Sequence, residues 1–151
     1  MAWTITPTID SKGMIQHPLT GDTAIVLKLA CTADGAGAGS ITLRSDIAGG
    51  TKGTTGTNSD IMDQIANSVL YMIITDPGAG AAEPTSTFTI TVSDKNSIAI
   101  CTTDANAVDA DAITQGAQSA GVLPPVFEEI TVAVGAIGDA NTVDVYLYFW
   151  K

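Results

Sequence analysis

Residues 68–102 read SVLYMIITDPGAGAAEPTSTFTITVSDKNSIAICT, and this stretch decides the fold class. It opens with an apolar run at 69–74, which is followed by a turn sequence at 76–78. Residues 87–92 then alternate strictly between threonine and an apolar side chain. Alternation with a period of two is typical of a half-buried strand. We therefore predict a strand, a long loop and a hairpin that turns at 93–96, and we expect the sheet to be built around this unit.

The rest of the chain shows the same pattern of short strands separated by turns. Residues 23–31 (TAIVLKLAC) predict an early strand, and 129–137 and 142–150 predict a second hairpin. Only 60–66 shows helical spacing. The sequence therefore predicts an all-β fold with at most one short helix. We expect an antiparallel sandwich or a jelly-roll-like barrel of about seven or eight short strands.

The length of the chain, 151 residues, fits one domain spanning 1–151. Pro7 lies in a weakly alternating segment, and proline cannot donate a ladder hydrogen bond, so 1–13 is predicted to be an edge strand or an N-terminal arm. No apolar run reaches the length of a membrane span. The first residues lack a basic segment followed by an apolar one, so no secretion signal is expected.

The charge of the chain limits its partners. Sixteen acidic and six basic residues give a net charge of −10. Such a chain repels phosphate backbones and anionic lipid surfaces. We therefore expect no direct contact with nucleic acid or membrane.

Two cysteines, Cys31 and Cys101, each end a predicted strand. They are predicted to be buried free thiols that act as small apolar side chains. A disulfide between neighbouring strands is the alternative, although two cysteines do not make a disulfide framework. A zinc site lacks the further ligands it requires.

Acidic clusters raise the possibility of a cation site, one at Asp104, Asp109 and Asp111 and another around the turn at 139–144. Calcium requires six or more oxygen ligands, and an EF-hand loop also requires its glycine and its final glutamate. Neither cluster matches this pattern. We therefore interpret both as solvated loop acids and expect no metal.

Catalytic and nucleotide-binding patterns are also missing. The glycine-rich segments 35–39 and 49–54 lack the spacing of dinucleotide and P-loop motifs. His17 is the chain's single histidine, and no nucleophile motif accompanies it. Glu128 and Glu129 are adjacent, so on a strand they point to opposite faces. The sequence therefore predicts no enzyme and no cofactor.

The segment 142–150 (TVDVYLYFW) carries apolar or aromatic side chains on both parities. A surface strand would show one polar face. One explanation is that the N-terminal arm or the diproline segment before the last two strands covers the second face. The alternative is a subunit interface formed by Tyr146, Tyr148 and Trp150 together with Trp3, because interface cores favour such side chains.

Several segments resemble a family of small acidic structural proteins of tailed bacteriophages. The matching segments are 70–78 (LYMIITDPG), 84–85 (PT), 88–94 (FTITVSD) and 141–149 (NTVDVYLYF). Phe88 and Thr89 stand where the family commonly carries Tyr-Asp, and Asn96 stands where a turn glycine is usual. The matching residues form the fold and define no site.

The resemblance implies a virion component. It implies a capsid decoration or accessory protein at the capsid surface, with the major capsid protein, copies of itself, or both as partners in a homo-oligomeric arrangement. A neck, tail or fibre component is an alternative. A second alternative is a carbohydrate-binding β-sandwich module, in which Trp3, Tyr146, Tyr148 and Trp150 would stack on sugars.

Overall fold

The structure of the chain is a computed structural model that describes residues 3–10, 24–35, 37–44, 57–84, 88–102, 114–116, 125–126 and 128–150. Within these ranges the chain forms ten strands, one α-helix and one 3₁₀ turn. The strands are β1 Thr4–Ile9, β2 Ala24–Thr32, β3 Gly39–Arg44, β4 Ser68–Pro77, β5 Ile90–Asp94, β6 Ala99–Thr102, β7 Thr114–Gly116, β8 Pro125–Val126, β9 Glu129–Val134 and β10 Thr142–Trp150. The helix α1 is Thr57–Ile65, and the 3₁₀ turn is Gly80–Ala82.

The strands form two antiparallel sheets that enclose one apolar core, so the fold is an all-β sandwich, as the sequence predicts. The six-stranded sheet has the order β1-β2-β10-β4-β7, and β8 also pairs with β4. The four-stranded sheet has the order β3-β9-β5-β6. The number of strands exceeds the expected number because β7 and β8, with three and two residues, are too short to produce a sequence pattern.

Strand β10 lies in the middle of the six-stranded sheet. It pairs with β2 over residues 142–150 on one side and with β4 over residues 143–150 on the other, with a register shift on the β4 side between Tyr148 and Phe149. Its odd-numbered side chains point into the core and are at most 1% exposed; they are Val143, Val145, Leu147 and Phe149. Burial of four such side chains is the main contribution of this strand to the core.

The predicted hairpin of 129–137 and 142–150 is wrong. β9 lies between β3 and β5 in the four-stranded sheet, whereas β10 lies in the other sheet. The segment between them crosses from sheet to sheet, and other loops bind its backbone: Gly135 donates its N–H to Thr89 O at 2.8 Å, and Ala140 donates to Ala33 O at 3.1 Å. Two alternating segments around a Gly/Asp/Asn turn fit a hairpin and such a crossing equally well.

The stretch 68–102 is likewise shared between the sheets. β4 belongs to the six-stranded sheet, and the predicted hairpin of β5 and β6 belongs to the other. In its turn, Asp94 Oδ1 accepts the backbone N–H groups of Ile98 at 2.8 Å and Asn96 at 2.9 Å. These backbone hydrogen bonds lower the pKa of Asp94, and the one from Ile98 has the largest effect. The hairpin is confirmed, but the middle of the sheet is β10 and not this unit.

Two other boundaries differ from expectation. The helix begins at Thr57 rather than near residue 60, where the helical spacing of the sequence begins. Thr114–Gly116 is a strand on β4, although the sequence there shows no strand pattern. Backbone pairing of three residues needs no apolar alternation, which explains why the sequence does not show it.

One side of the sandwich is closed by α1 and by Trp3. The helix contacts both β1 and β3 and buries Ile61, Met62 and Ile65 in the core. The Trp3 indole packs against the core and donates its Nε1–H to Gly37 O at 3.1 Å. Of the residues set out above, none lies in a helix long and apolar enough to cross a membrane.

Gly39→Ala should destabilise the protein because an added Cβ would overlap the Trp3 ring. Displacing the indole loses its packing and its bond to Gly37, and overpacking of this kind costs about 1–3 kcal/mol. Gly37→Ala is the matched control, since a Cβ there meets nothing within 4 Å. Urea unfolding of both variants measures the difference. Equal stability of the two variants would contradict the role of Trp3 in closing this side of the sandwich.

Cys31 is a free, buried thiol on the core side of β2, in agreement with the first of the two alternatives; the side chain of Cys101 lies outside the described residues. The Sγ donates weakly to Leu29 O at 3.6 Å. Burial raises the pKa of the Cys31 thiol to about 12, and the charge of Asp144 adds to this shift. The thiol therefore stays protonated in the folded chain at neutral pH.

This shift predicts a loss of stability in alkaline solution. The thiol of an unfolded cysteine has a pKa of about 8.5. The contribution of Cys31 to folding stability is therefore complete below that pH and is lost as the pH rises toward 12. The slope reaches up to about 1.4 kcal/mol per pH unit. Cys31→Ala should be less stable than the wild type below about pH 8.5 and should show a flatter decline above it. Denaturant unfolding at several pH values measures both curves, and parallel curves would refute the prediction.

Candidate functional site

The even-numbered side chains of β10 point away from the core. Tyr146, Tyr148 and Trp150 are all partly buried there, so they lie on one surface as the alternation predicts. We call this surface of the six-stranded sheet the outer face. Its members include Ala24, Val26, Lys28 and Ala30 of β2, Val69, Met72, Ile74 and Asp76 of β4, and Asp144, Tyr146, Tyr148 and Trp150 of β10.

The apolar part of the outer face is formed in register across two strands. Ile74 of β4 lies opposite Tyr146, and Met72 lies opposite Tyr148. All four side chains are partly buried rather than fully buried. Directly opposite residues on one face have Cβ atoms about 5 Å apart, so these side chains form one continuous surface of aliphatic and aromatic groups.

A lysine compensates one charge on this surface. Lys28 Nζ lies 2.6 Å from Asp144 Oδ2 and 5.5 Å from the centroid of the Tyr146 ring. The hydrogen bond to Asp144 is the main cause that raises the pKa of Lys28. Because both side chains are 31% exposed, water screens the pair, and its contribution to stability is at most about 1 kcal/mol. The pair mainly fixes the positions of the two charges.

A second carboxylate, that of Asp76, lies directly opposite Asp144 on β4. Two like charges at this spacing destabilise a sheet by a few tenths of a kcal/mol up to about 1 kcal/mol. Lys28 reaches Asp144 from the other side. The three ion pairs found among the described residues do not include Asp76.

The described strands do not lie over the outer face, although two of its members on β2, Ala24 and Val26, are buried, with 4% and 5% of their surface exposed. β1 extends the sheet beside β2, and β8 extends it beside β4, so both lie in the plane of the sheet. Residues 4–9 and 125–126 therefore do not act as the cover that was one explanation for the aromatic row. Pro124 lies outside the described residues.

Trp3 does not join the other three aromatic residues. It precedes β1, packs against the core and reaches the loop at Gly37, whereas the outer face points in the opposite direction. The structure thus brings Tyr146, Tyr148 and Trp150 together and separates Trp3 from them. The interface hypothesis stays a prediction for the first three. Sequence reasoning missed Lys28, Ile74 and Asp76, whose membership follows from strand order.

The other candidate sites provide no ligand set where they are described. Asp139 Oδ1 accepts the Gly35 N–H at 2.8 Å, and the Asn141 side chain donates to Ile137 O at 2.7 Å. The described residues contain no group of three or more side chains that could hold a metal ion. His17, 49–54, Asp104, Asp109 and Asp111 lie outside the described residues.

The two adjacent glutamates have separate partners. Glu128 lies 3.3 Å from Lys95, and Glu129 lies 3.5 Å from Arg44. Each carboxylate thus lies beside a different cation, and Arg44 and Lys95 lie on opposite sides of β9. This arrangement fits surface ion pairs.

The fold and the outer face together define a β-sandwich protein with an aromatic sheet surface. No protein-family model and no curated protein matches the chain. Among solved structures, the chain is similar to the CBM22-1 xylan-binding domain from Paenibacillus barcinonensis Xyn10C, with 15% sequence identity. The match covers 99% of this chain and 83% of that chain at a TM-score of 0.28. So loose an overlap carries no argument, and the sandwich rests on the chain's own two sheets.

Substitutions on the two faces of β10 should differ in their effect on the isolated protein. Tyr146→Thr should change the free energy of unfolding by about 1 kcal/mol or less, because the ring is partly exposed and its neighbours Lys28 and Ile74 are partly exposed too. Leu147→Ala, the neighbouring core residue, should cost about 2–5 kcal/mol. Urea unfolding compares the two. Equal costs would make Tyr146 a core residue and the outer face unavailable to a partner.

Proposed function

We propose that the protein is a structural component of a tailed-phage virion, attached to the capsid surface as a decoration or accessory protein. Two arguments support the proposal. The segments at 70–78, 84–85, 88–94 and 141–149 resemble the phage family of small acidic structural proteins. The outer face offers a continuous apolar and aromatic surface, which is the observation that carries the proposal. Such surfaces are typical of protein interfaces.

The outer face would act through burial of its apolar groups against the shell. Aromatic and aliphatic side chains that already hold fixed strand positions lose little freedom on docking, and each Å² of apolar area removed from water contributes about 25 cal/mol. The Lys28–Asp144 pair costs less to cover than two separate charges would, because each charge compensates the other. Polar and charged residues that surround an apolar centre are the usual arrangement of an interface.

Attachment stabilises the shell by mass action. A protein that binds the assembled shell and not its separated subunits shifts the equilibrium toward assembly. Copies that each touch neighbouring shell subunits add their weak contacts as avidity. The negative charge keeps the unbound protein soluble and repels packaged nucleic acid.

The test is the copy number of the chain in purified particles, measured by quantitative mass spectrometry against the major shell protein. We expect a simple fraction of the shell protein for the wild type and a strong reduction for Tyr146→Thr. Ile98→Thr is the matched control, because Ile98 is 62% exposed at the hairpin of the other sheet and should leave the copy number unchanged.

Other outcomes would redirect the assignment. A count that fits one small ring per particle would favour a neck or tail component over decoration. Equal loss with both variants would argue against the outer face as the attachment surface. Absence of the chain from particles would refute the virion function.

A second candidate function, carbohydrate binding, rests on the same aromatic side chains. Tyr146, Tyr148 and Trp150 are spaced two residues apart, about 6.6 Å along the strand, and aromatic rings that expose an apolar body beside polar groups can recognise ligands with both characters. A panel of soluble polysaccharides, with tryptophan fluorescence as the readout, separates this function from attachment. A saturable shift that Tyr146→Thr abolishes would support it.

A further inference from the structure

Asp76 is the charged group of the outer face that the described structure leaves without a counter-charge. Its neighbour across the sheet is another carboxylate, Asp144, which Lys28 already holds at 2.6 Å. None of the ion pairs among the described residues includes Asp76. Ile74 and Met72 precede Asp76 on the same face of β4. A partly buried carboxylate thus lies at one end of an apolar surface.

This position restricts what can bind the outer face. A partner that covers Tyr146 and Ile74 also removes water from the neighbourhood of Asp76. A carboxylate that loses water without gaining a counter-charge weakens an interface strongly. The second carboxylate nearby increases this cost, because Lys28 is already engaged with Asp144. The other two cations among the described residues, Arg44 and Lys95, pair with glutamates at the other sheet, so a partner that supplies a cation matches this surface best.

We propose that the partner's docking segment places an arginine or lysine against Asp76, next to apolar side chains that contact Ile74 and Tyr146. The inference rests on the proposed attachment function and commits to the shell subunit as the occupant. Charge argues against a second copy of this chain as the occupant, because that copy would bring a further net charge of −10. The Lys28 of that copy would also be paired with its own Asp144. An arginine fits best, since its planar group can bind a carboxylate through two hydrogen bonds.

The test measures the affinity of Asp76→Asn for undecorated shells by co-sedimentation. The substitution keeps the size of the side chain and removes its charge. We expect at least about tenfold weaker binding, because a desolvated pair loses one partner. Added salt should weaken binding of the wild type more than binding of the variant. The isolated variant should melt at the same or a higher temperature, because the opposition of Asp76 and Asp144 is removed.

Asp60→Asn is the control for net charge. Asp60 is exposed on α1, on the side of the sandwich that the helix closes, so its loss changes the total charge without touching the outer face. Binding of this control should equal that of the wild type. Equal weakening by both variants would indicate a long-range charge effect and would overturn the proposal.

The remaining outcomes separate this inference from the proposed function. Unchanged or tighter binding of Asp76→Asn, with normal attachment of the wild type, would overturn the cation at Asp76 and leave attachment intact. Failure of the wild type to bind shells would overturn both. Self-association of the wild type that Asp76→Asn weakens, measured by analytical ultracentrifugation, would make a second copy the occupant and overturn the commitment to the shell.

Discussion

The double pairing of β10 is the constraint on which the rest of the structure depends. A strand paired on both sides over nearly its whole length lies inside the sheet and forms no edge, so its two faces must both be accommodated. The odd face is the apolar centre of the core. The even face is then directed outward, together with its neighbours on β2 and β4. The core and the outer face are thus two consequences of one strand position, and the partners of β10 decide which residues share each face.

Local pattern predicts the elements of this fold better than their arrangement. Alternation correctly indicates that Phe88, Ile90 and Val92 share a buried face, and the Asp94 turn correctly indicates the hairpin of β5 and β6. The connection of β9 to β10 fails as a prediction because Gly138 to Asn141 form a turn in both possible topologies. What distinguishes them is the set of partners that each strand finds across the chain, such as β3 for β9 and β2 for β10. That information is not local.

The same limit applies to the candidate site. Parity within 142–150 is sufficient to group Tyr146, Tyr148 and Trp150, because it depends on one strand alone. Adding Lys28 and Asp76 requires the strand order β2-β10-β4 and the register within it, which no single segment encodes. The position of Trp3 away from these three residues is not encoded locally for a similar reason. Its aromatic character fits an interface, but its position before β1 places it against Gly39 of the opposite sheet, where it closes the core.

The edge at β1 is poorly suited to association through an added strand. Asp10 donates its N–H to Val26 O at 2.8 Å, and residues of the same parity bond to β2 in an antiparallel pair. Ile5, Pro7 and Ile9 therefore turn their backbone groups away from β2. At Pro7 the outward N–H is missing, so the edge is interrupted at its centre without loss of a bond to β2. The helix α1 contacts this same strand. A partner gains few backbone hydrogen bonds at this edge, whereas the outer face offers apolar area that the described strands leave uncovered.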